Sequence, residues 1–415
     1  PEASDTIAAI ATPRGIGALS IVRISGSSAI EIFEKVFRGK RSPGEVKSRS
    51  VLLGEIVDAE GECIDQVVAT VLRAPRTYTG EDLVEITCHG GLLIPSLILR
   101  RLVEAGARIA EPGEFTKRAF LNGKLDLAQA EAIAEIVQAR TREALSIGLR
   151  QLKGELSGRI ASIEQKVIDV LALVEAQIDF PEEEDVGEFD RKDLCNKLDA
   201  AQEEITYLID ESSRGKFIRK GIDVVIVGKP NVGKSSLFNC LLGRQRVIVS
   251  DLPGTTRDVV DATLSLDGVL INLHDTAGVM RATDKVTVEA VEHTKRAVEE
   301  SDIAIVVVDA SETLGEDDKS LIDELESKPR IIALNKIDLV EKASPEEEYP
   351  CVRVSALKGW GIEKLASEVQ KLASHLTHQM TAEVMVNERH LGCLREAKNS
   401  IEAAREGLLL SLIHI

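Results

Sequence analysis

The sequence predicts three kinds of fold in one chain: an α+β N-terminal domain, an all-α helical domain, and an α/β domain of the doubly wound kind inserted into the helical one. Three observations carry this. Short β-type runs broken by Gly and Pro fill residues 6–89, apolar residues recur at spacings of three and four from Asp126 to Gln177, and apolar strands alternate with helical patterns over 219–375.

In the first domain, placed at residues 1–118, the strand-like runs are "TIAAIAT", "ALSIVRISG", "SVLLGEIVD", "DQVVATVLRAP" and "DLVEITCHGG". "LIPSLILRRLVEAG" then reads as a helix, which makes this an α+β domain. The second domain is placed at residues 119–218, and past "EPGEFTKRAFLNGK" its texture turns helical. Leu127, Ala130, Ile133, Ile136 and Val137, then Leu145, Leu149, Leu152 and Leu156, fall on helical faces, and Gly and Pro nearly vanish. The acidic stretch "DFPEEEDVGEFD" reads as a solvated loop, after which a helix runs from Leu194 to about Ser213.

The third domain, 219–375, contains "DVVIVG", "INLHDTAG", "IAIVVVDA" and "RIIALNK", apolar throughout as buried parallel strands are. Beyond it, residues 376–415 return to charged helix in "NERHLGCLREAKNSIEAAREGLLL". The economical reading is one helical domain interrupted by the α/β module; a separate C-terminal helix is the alternative.

Composition narrows the function. A chain of 415 residues is too long for one core. No apolar run approaches the roughly 20 residues that span a bilayer, and no leader precedes Pro1, so a cytoplasmic protein away from membranes is expected. The 69 acidic residues against 51 basic ones disfavour general binding to nucleic acid. "RQLKGELSGR" and "RGKFIRKG" remain as local RNA-docking candidates, although such runs are commonly solvated helix faces. The six cysteines form no CxxC pair, which argues against a zinc ribbon or a disulfide framework.

The chemistry is concentrated in the third domain. "GKPNVGKSS" follows a strand and precedes a helix, the context of a phosphate-binding P-loop. There backbone N–H groups close around phosphates, Lys234 reaches the β and γ oxygens, and the Ser235 hydroxyl suits a Mg2+ ion. Thr256 in "DLPGTTRD" offers the ion a second hydroxyl, Asp275 faces it from a strand end, and the Gly278 amide meets the γ-phosphate.

"NKID" supplies Asp338 for the two N–H groups of a guanine edge, braced by Asn335 and Lys336, and "SAL" adds a backbone contact. Adenine lacks that donor pair, so the substrate is GTP and the fold is a Ras-like α/β P-loop GTPase domain. The nucleotide is expected against Asn231, Val232, Gly233, Lys234, Ser235 and Ser236; Ser250, Asp251, Leu252, Pro253, Gly254, Thr255 and Thr256; Asp275, Thr276, Ala277 and Gly278; Asn335, Lys336 and Asp338; and Ser355, Ala356 and Leu357. One place in the pattern is unusual: a Ras-like enzyme carries a water-orienting Gln after the Gly of "DTAG", and here that residue is Val279.

Over nearly its whole length the sequence resembles the MnmE (TrmE) family of tRNA-modification GTPases. "DTIAAIATPRGIGALSIVRISG", "YTGEDLVEITCHGG" and "EPGEFTKRAFLNGKLDLAQAEAI" are similar to its N-terminal and helical signatures. The resemblance implies a potassium-stimulated GTPase, active when two G domains meet, that works with the flavoprotein MnmG in a heterotetramer or larger complex. Together they place an aminomethyl or carboxymethylaminomethyl group on the wobble uridine (U34) of tRNA.

It further implies a homodimer whose N-terminal domain binds a formyl-tetrahydrofolate through Arg23, Glu85 and Lys124. It also supplies an answer for Val279: K+ beside the β and γ phosphates, with Asn231, Ser250, Leu252 and Thr255 as ligands, takes over the charge stabilisation. Catalytic roles then fall to Asn231, Lys234, Thr256 and the position of Thr287. An Asn at 231 also serves as a plain turn former.

Two departures from the family pattern stand out. The family's water-positioning Glu, nine residues after the Gly of "DTAG", is Thr287 here, so hydrolysis is expected to be slower or to be carried by Glu289 or Glu292. The family's Cys-x-Gly-Lys tail does not occur in "LLLSLIHI". His89 in "TCHGG" reads as structural, and His375 with His378 as solvent-facing, lacking a third metal ligand nearby in sequence. The competing functions are a ribosome-assembly or other RNA-associated GTPase switch, and a GTP-sensing scaffold with little turnover.

Overall fold

The N-terminal sheet is built by alternation. On β5 (Cys63–Leu72) the residues Asp65, Val67, Ala69 and Val71 turn inward while their neighbours face the other side. With β1 (Ile7–Ile10), β2 (Leu19–Ser25), β3 (Phe37–Gly39), β4 (Ser50–Val57), β6 (Leu83–His89) and β7 (Arg108–Ile109), it forms a seven-stranded sheet of order β3-β4-β5-β6-β2-β1-β7. Every pairing is antiparallel except β1 with β7.

The computed structural model describes residues 5–179, 191–244, 262–266, 269–275, 296–340, 349–378 and 386–409. It divides into two compact units, Pro1–Glu131 and Ala132–Ile415.

In the first unit, α1 (Ala29–Val36) and α2 (Leu93–Glu104) close one face of the sheet, and α3 (Glu114–Leu121) follows β7. Residues 6–89 are strand-rich by sequence, and α1 interrupts them. Its apolar residues Ile30, Phe33 and Val36 are three apart and fully or nearly fully buried, each contributing about 1.5–3 kcal/mol, so tertiary burial sustains a helix of only eight residues.

The helices of the second unit carry a seven-residue repeat. Leu156, Ile163 and Val170 are buried on α6 (Glu155–Asp179), and Leu194, Leu198, Ala201, Ile205 and Leu208 on α7 (Arg191–Lys220). Leu394, Ile401 and Leu408 are buried on α11 (Glu388–Leu409). That repeat suits long helices crossing at shallow angles, and α7 packs against both α6 and α11. Ion pairs Lys166 to Glu204 and Arg405 to Asp199 tie the same helices at 2.6 and 2.5 Å. Preceding them, α4 (Leu127–Gln138) and α5 (Arg142–Leu152) are separate helices; Thr141 caps α5 by accepting the Ala144 N–H at 3.1 Å.

Helix α7 continues past Ser213 to Lys220, further than its apolar pattern indicated, and stops at Gly221, whose φ is +86°. β8 (Ile222–Val227) starts at once. A six-stranded sheet follows, in the order β13-β12-β11-β8-β10-β9, from β9 (Ala262–Leu266), β10 (Val269–Asp275), β11 (Ile303–Asp309), β12 (Arg330–Asn335) and β13 (Cys351–Arg353). Its strands are parallel apart from β9, an antiparallel edge paired with β10. With α8 (Lys234–Arg244), α9 (Glu316–Glu324) and α10 (Ile362–His378), this is the doubly wound arrangement, and its nucleotide motifs sit at the carboxyl ends of β8, β10 and β12. No helix among the described residues is long and apolar enough to cross a membrane.

Candidate functional site

β8 ends in the loop 228–233, which leads into α8. Its geometry depends on small residues. A Cβ on Gly228 would lie 2.4 Å from the Val307 carbonyl, and one on Gly233, with φ at +97°, would lie 2.3 Å from Asn335 Nδ2. Asn231 adopts the left-handed region, φ +65°, at the crest of the loop. The start of α8 therefore presents its backbone N–H groups and helix dipole beside Lys234, Ser235 and Ser236, an arrangement suited to phosphate.

Lys234 is 7% exposed, and its Nζ donates to the carbonyls of Gly228 and Lys229, each at 2.8 Å. Burial pulls its ammonium below the ordinary lysine range, partly offset by the charge of Asp275. Asp275 ends β10, buried, in register with Ile226 at the end of β8. The Ser235 hydroxyl and this carboxylate are hard oxygen donors, the set a Mg2+ ion takes; when bound, such an ion neutralises charge on the β and γ phosphates.

The base side of the site is built from β12 and the turn after β13. Asn335 donates from Nδ2 to the Val232 carbonyl at 2.8 Å and accepts the Ala356 N–H on Oδ1 at 3.0 Å. One side chain thus joins the phosphate loop to the base-contacting turn. Lys336 has φ +64°, and its Nζ lies 2.5 Å from Asp309 Oδ2. Burial works to raise the Asp309 carboxyl, but hydrogen bonds from Lys336 and Ser311 outweigh it and hold the group below the usual carboxylate range. Asp338 Oδ1 accepts from Ser355 Oγ at 2.5 Å, so the carboxylate and the "SAL" turn are locked together, while Leu357 is 81% exposed.

Sequence comparison decides the family. A family profile described as GTP-binding protein TrmE N-terminus matches residues 6–124, and a second, MnmE helical domain, matches 127–413. The tRNA modification GTPase MnmE of Ligilactobacillus salivarius is 42% identical over 416 residues, covering 98% of this chain and 89% of that protein. The chain belongs to the MnmE family. Its namesakes in Aquifex aeolicus, 43% identical over 405 residues, and Bacillus subtilis, 40% identical over 420, each cover 97% of this chain and 89% and 90% of their own length. Like the MnmE proteins, it is a GTPase.

Of the residues expected to serve an MnmE site, Asn231, Val232, Gly233, Lys234, Ser235, Ser236, Asp275, Asn335, Lys336, Asp338, Ser355, Ala356 and Leu357 are described. Ser250, Asp251, Leu252, Pro253, Gly254, Thr255, Thr256, Thr276, Ala277, Gly278 and Thr287 lie outside the described residues, as do Val279, Glu289 and Glu292.

In the N-terminal unit, Arg23 and Glu85 are register partners on β2 and β6. Arg23 Nη2 donates to Glu85 Oε1 at 2.6 Å and its Nε at 3.0 Å. The guanidinium stands 5.3 Å from the Tyr78 ring centroid and 5.5 Å from that of Phe115. Lys124 Nζ donates to the Pro75 carbonyl at 3.0 Å, and its chain passes over Gly80, a neighbour of the same turn. A cation, a carboxylate and two aromatic rings at one sheet face suit the polar edge and flat ring of a pterin.

Tyr78 and Phe115 escaped the sequence reading; the turn "TYTG" and the helix start "GEFT" carry them, but their approach to Arg23 is a tertiary fact. His89, read as structural, engages Asp65: its Nδ1 lies 2.7 Å from Oδ1, and its backbone N–H donates to Oδ2 at 2.8 Å.

Proposed function

We propose that this GTPase is stimulated by potassium when two G domains pair, and that it acts with the flavoprotein MnmG to place an aminomethyl or carboxymethylaminomethyl group at carbon 5 of the wobble uridine of tRNA. The observation carrying this is the near full-length similarity to MnmE proteins, whose name joins tRNA modification to GTP hydrolysis.

Asn231 supports the cation part of the reading. Its left-handed backbone sits on the phosphate loop, three residues before Lys234, where an amide oxygen suits a monovalent cation beside the β and γ phosphates. Ser250, Leu252 and Thr255 complete the proposed K+ ligands, and Ser235 with Thr256 the Mg2+ ligands. In this reading Lys234 holds the phosphates, Thr256 responds to the γ-phosphate, and Thr287 occupies the water-positioning place. The Arg23, Glu85 and Lys124 trio holds a formyl-tetrahydrofolate, with Tyr78 and Phe115 framing it, in a cytoplasmic homodimer.

Reconstitution tests the proposal. The chain is incubated with flavin-loaded MnmG, a nicotinamide reductant, ammonium or glycine as the amine donor, tRNA, formyl-tetrahydrofolate, Mg2+ and GTP in potassium buffer, and the digested tRNA is weighed by mass spectrometry. Modified U34 that depends on both proteins supports the reading. GTP turnover with unmodified tRNA would leave an RNA-associated GTPase without a part in the modification.

A further inference from the structure

We propose that Lys229 is a positioning residue for nucleotide binding: its ammonium, fastened to Asp318 at the start of α9, anchors the phosphate loop so that the loop's own carbonyls hold Lys234 in place.

Four observations converge. Lys229 Nζ lies 2.8 Å from Asp318 Oδ2 and 3.7 Å from Asp317 Oδ2. Asp318 is 8% exposed, and the same Oδ2 accepts the Gly315 N–H at 3.1 Å, so the anchor is fixed to the helix start rather than swinging in solvent. A Cβ on Gly315 would stand 2.9 Å from Lys229 Nζ, so the ammonium packs closely against the turn that starts α9. Finally, the Lys229 carbonyl accepts Lys234 Nζ at 2.8 Å. One residue thus links a buried carboxylate, 89 positions away in sequence, to the lysine that grips phosphate.

The arrangement decides between two roles. A cation on a phosphate loop ordinarily serves the phosphates themselves. Here its charge is directed to a buried carboxylate instead, and a buried carboxylate deprived of its partner is strongly destabilising where it stands. Lys229 then contributes through the shape of the loop, and equally for GDP and GTP, because both meet the same loop.

Titration of the full chain with fluorescent GDP and GTP analogues separates the roles, with GTP turnover measured alongside. Lys229→Met and Asp318→Asn are each expected to weaken both nucleotides about tenfold and to raise KM with kcat little changed. Lys229→Arg and Asp317→Asn are expected to stay within twofold, since Arg keeps the pair and the Asp317 side chain is 89% exposed. If Lys229 instead served the phosphates, Asp318→Asn would free its charge and tighten binding. Tighter binding in that variant, or unchanged affinity in Lys229→Met, overturns the proposal. Should Asp318→Asn not fold, Lys229→Met still separates the roles through the two nucleotides: equal loss for GDP and GTP supports the loop anchor, and a larger loss for GTP overturns it.

Discussion

Asn335 spans the mouth of the nucleotide site to reach Val232, donating from Nδ2 to its carbonyl at 2.8 Å while its Oδ1 takes the Ala356 amide. The phosphate loop and the base-contacting turn are therefore set relative to each other by one side chain. Gly233 is the residue that makes room for it. Gly233→Ala places a methyl 2.3 Å from Asn335 Nδ2 and forces an alanine to φ +97°. The expected outcome is a loss of GDP and GTP affinity of at least about a hundredfold, equivalent to about 2.7 kcal/mol, read by equilibrium titration.

In the proposed site, base choice rests on Asp338: its carboxylate would accept the two N–H donors of guanine, and an Asn there would turn an N–H2 toward them. Asp338→Asn is expected to weaken GTP by about a hundredfold or more, on the scale of two charge-assisted hydrogen bonds, and to bring xanthosine triphosphate into range, since xanthine presents an acceptor oxygen at that edge. Competition between the two triphosphates for one bound fluorescent analogue reads the switch directly.

Folate binding is predicted to depend on the Arg23 and Glu85 pair and to be separable from GTP chemistry. Arg23→Ala removes the ion pair and the cation held between Tyr78 and Phe115. Formyl-tetrahydrofolate affinity is expected to fall at least about thirtyfold by calorimetry, on the scale of one charge-assisted bond and one cation–π contact, while GTP turnover stays within twofold. Unchanged folate affinity would remove this trio from the site.

How much of this is legible in the sequence depends on distance along the chain. "GKPNVGKSS", "NKID" and "SAL" are contiguous, so their chemistry is readable from spacing alone, and Asn335 reads as a brace of the base site from its own motif. The edge strand β9 lacks such a marker: "ATLSL" is five residues with two hydroxyls and no apolar run, and only its pairing with β10 reveals the strand and its reversed direction.

The Lys229 and Asp318 pair is invisible in the sequence because nothing in a single chain of letters joins positions 89 apart. The same holds for Arg118, where carboxylates from Asp5, Glu81 and Glu114 meet around one buried guanidinium. Helix α1 hides for another reason: eight residues give too few turns for a period to show against flanking strands.

That N-terminal cluster makes a pH prediction. Hydrogen bonds from Arg108, then the Glu111 backbone N–H and Arg118, outweigh burial and hold the Glu114 carboxyl down at about 2. A carboxyl lowered by folding stabilises the fold fully above its unfolded pKa, about 4.3, and loses that contribution as pH falls through the folded value. Glu114→Gln should therefore destabilise the N-terminal unit by about 2 kcal/mol at pH 7, allowing for the solvent exposure of Arg108, and by progressively less from about pH 4 to about pH 2. Amide exchange in β1 and β6 reads this unit alone. A cost that does not shrink with acid would contradict the assignment.

Whether a potassium ion supplies what Val279 lacks is read by GTP turnover of the full chain in KCl against NaCl at equal ionic strength, with Asn231→Ala alongside. Turnover of the native chain is expected to be at least about tenfold faster in potassium, as when charge in the transition state gains one preorganised cation. Asn231→Ala is expected to show no potassium advantage, with GDP affinity retained. Equal turnover of the native chain in the two salts, or an undiminished potassium effect without Asn231, would contradict that role for the ion.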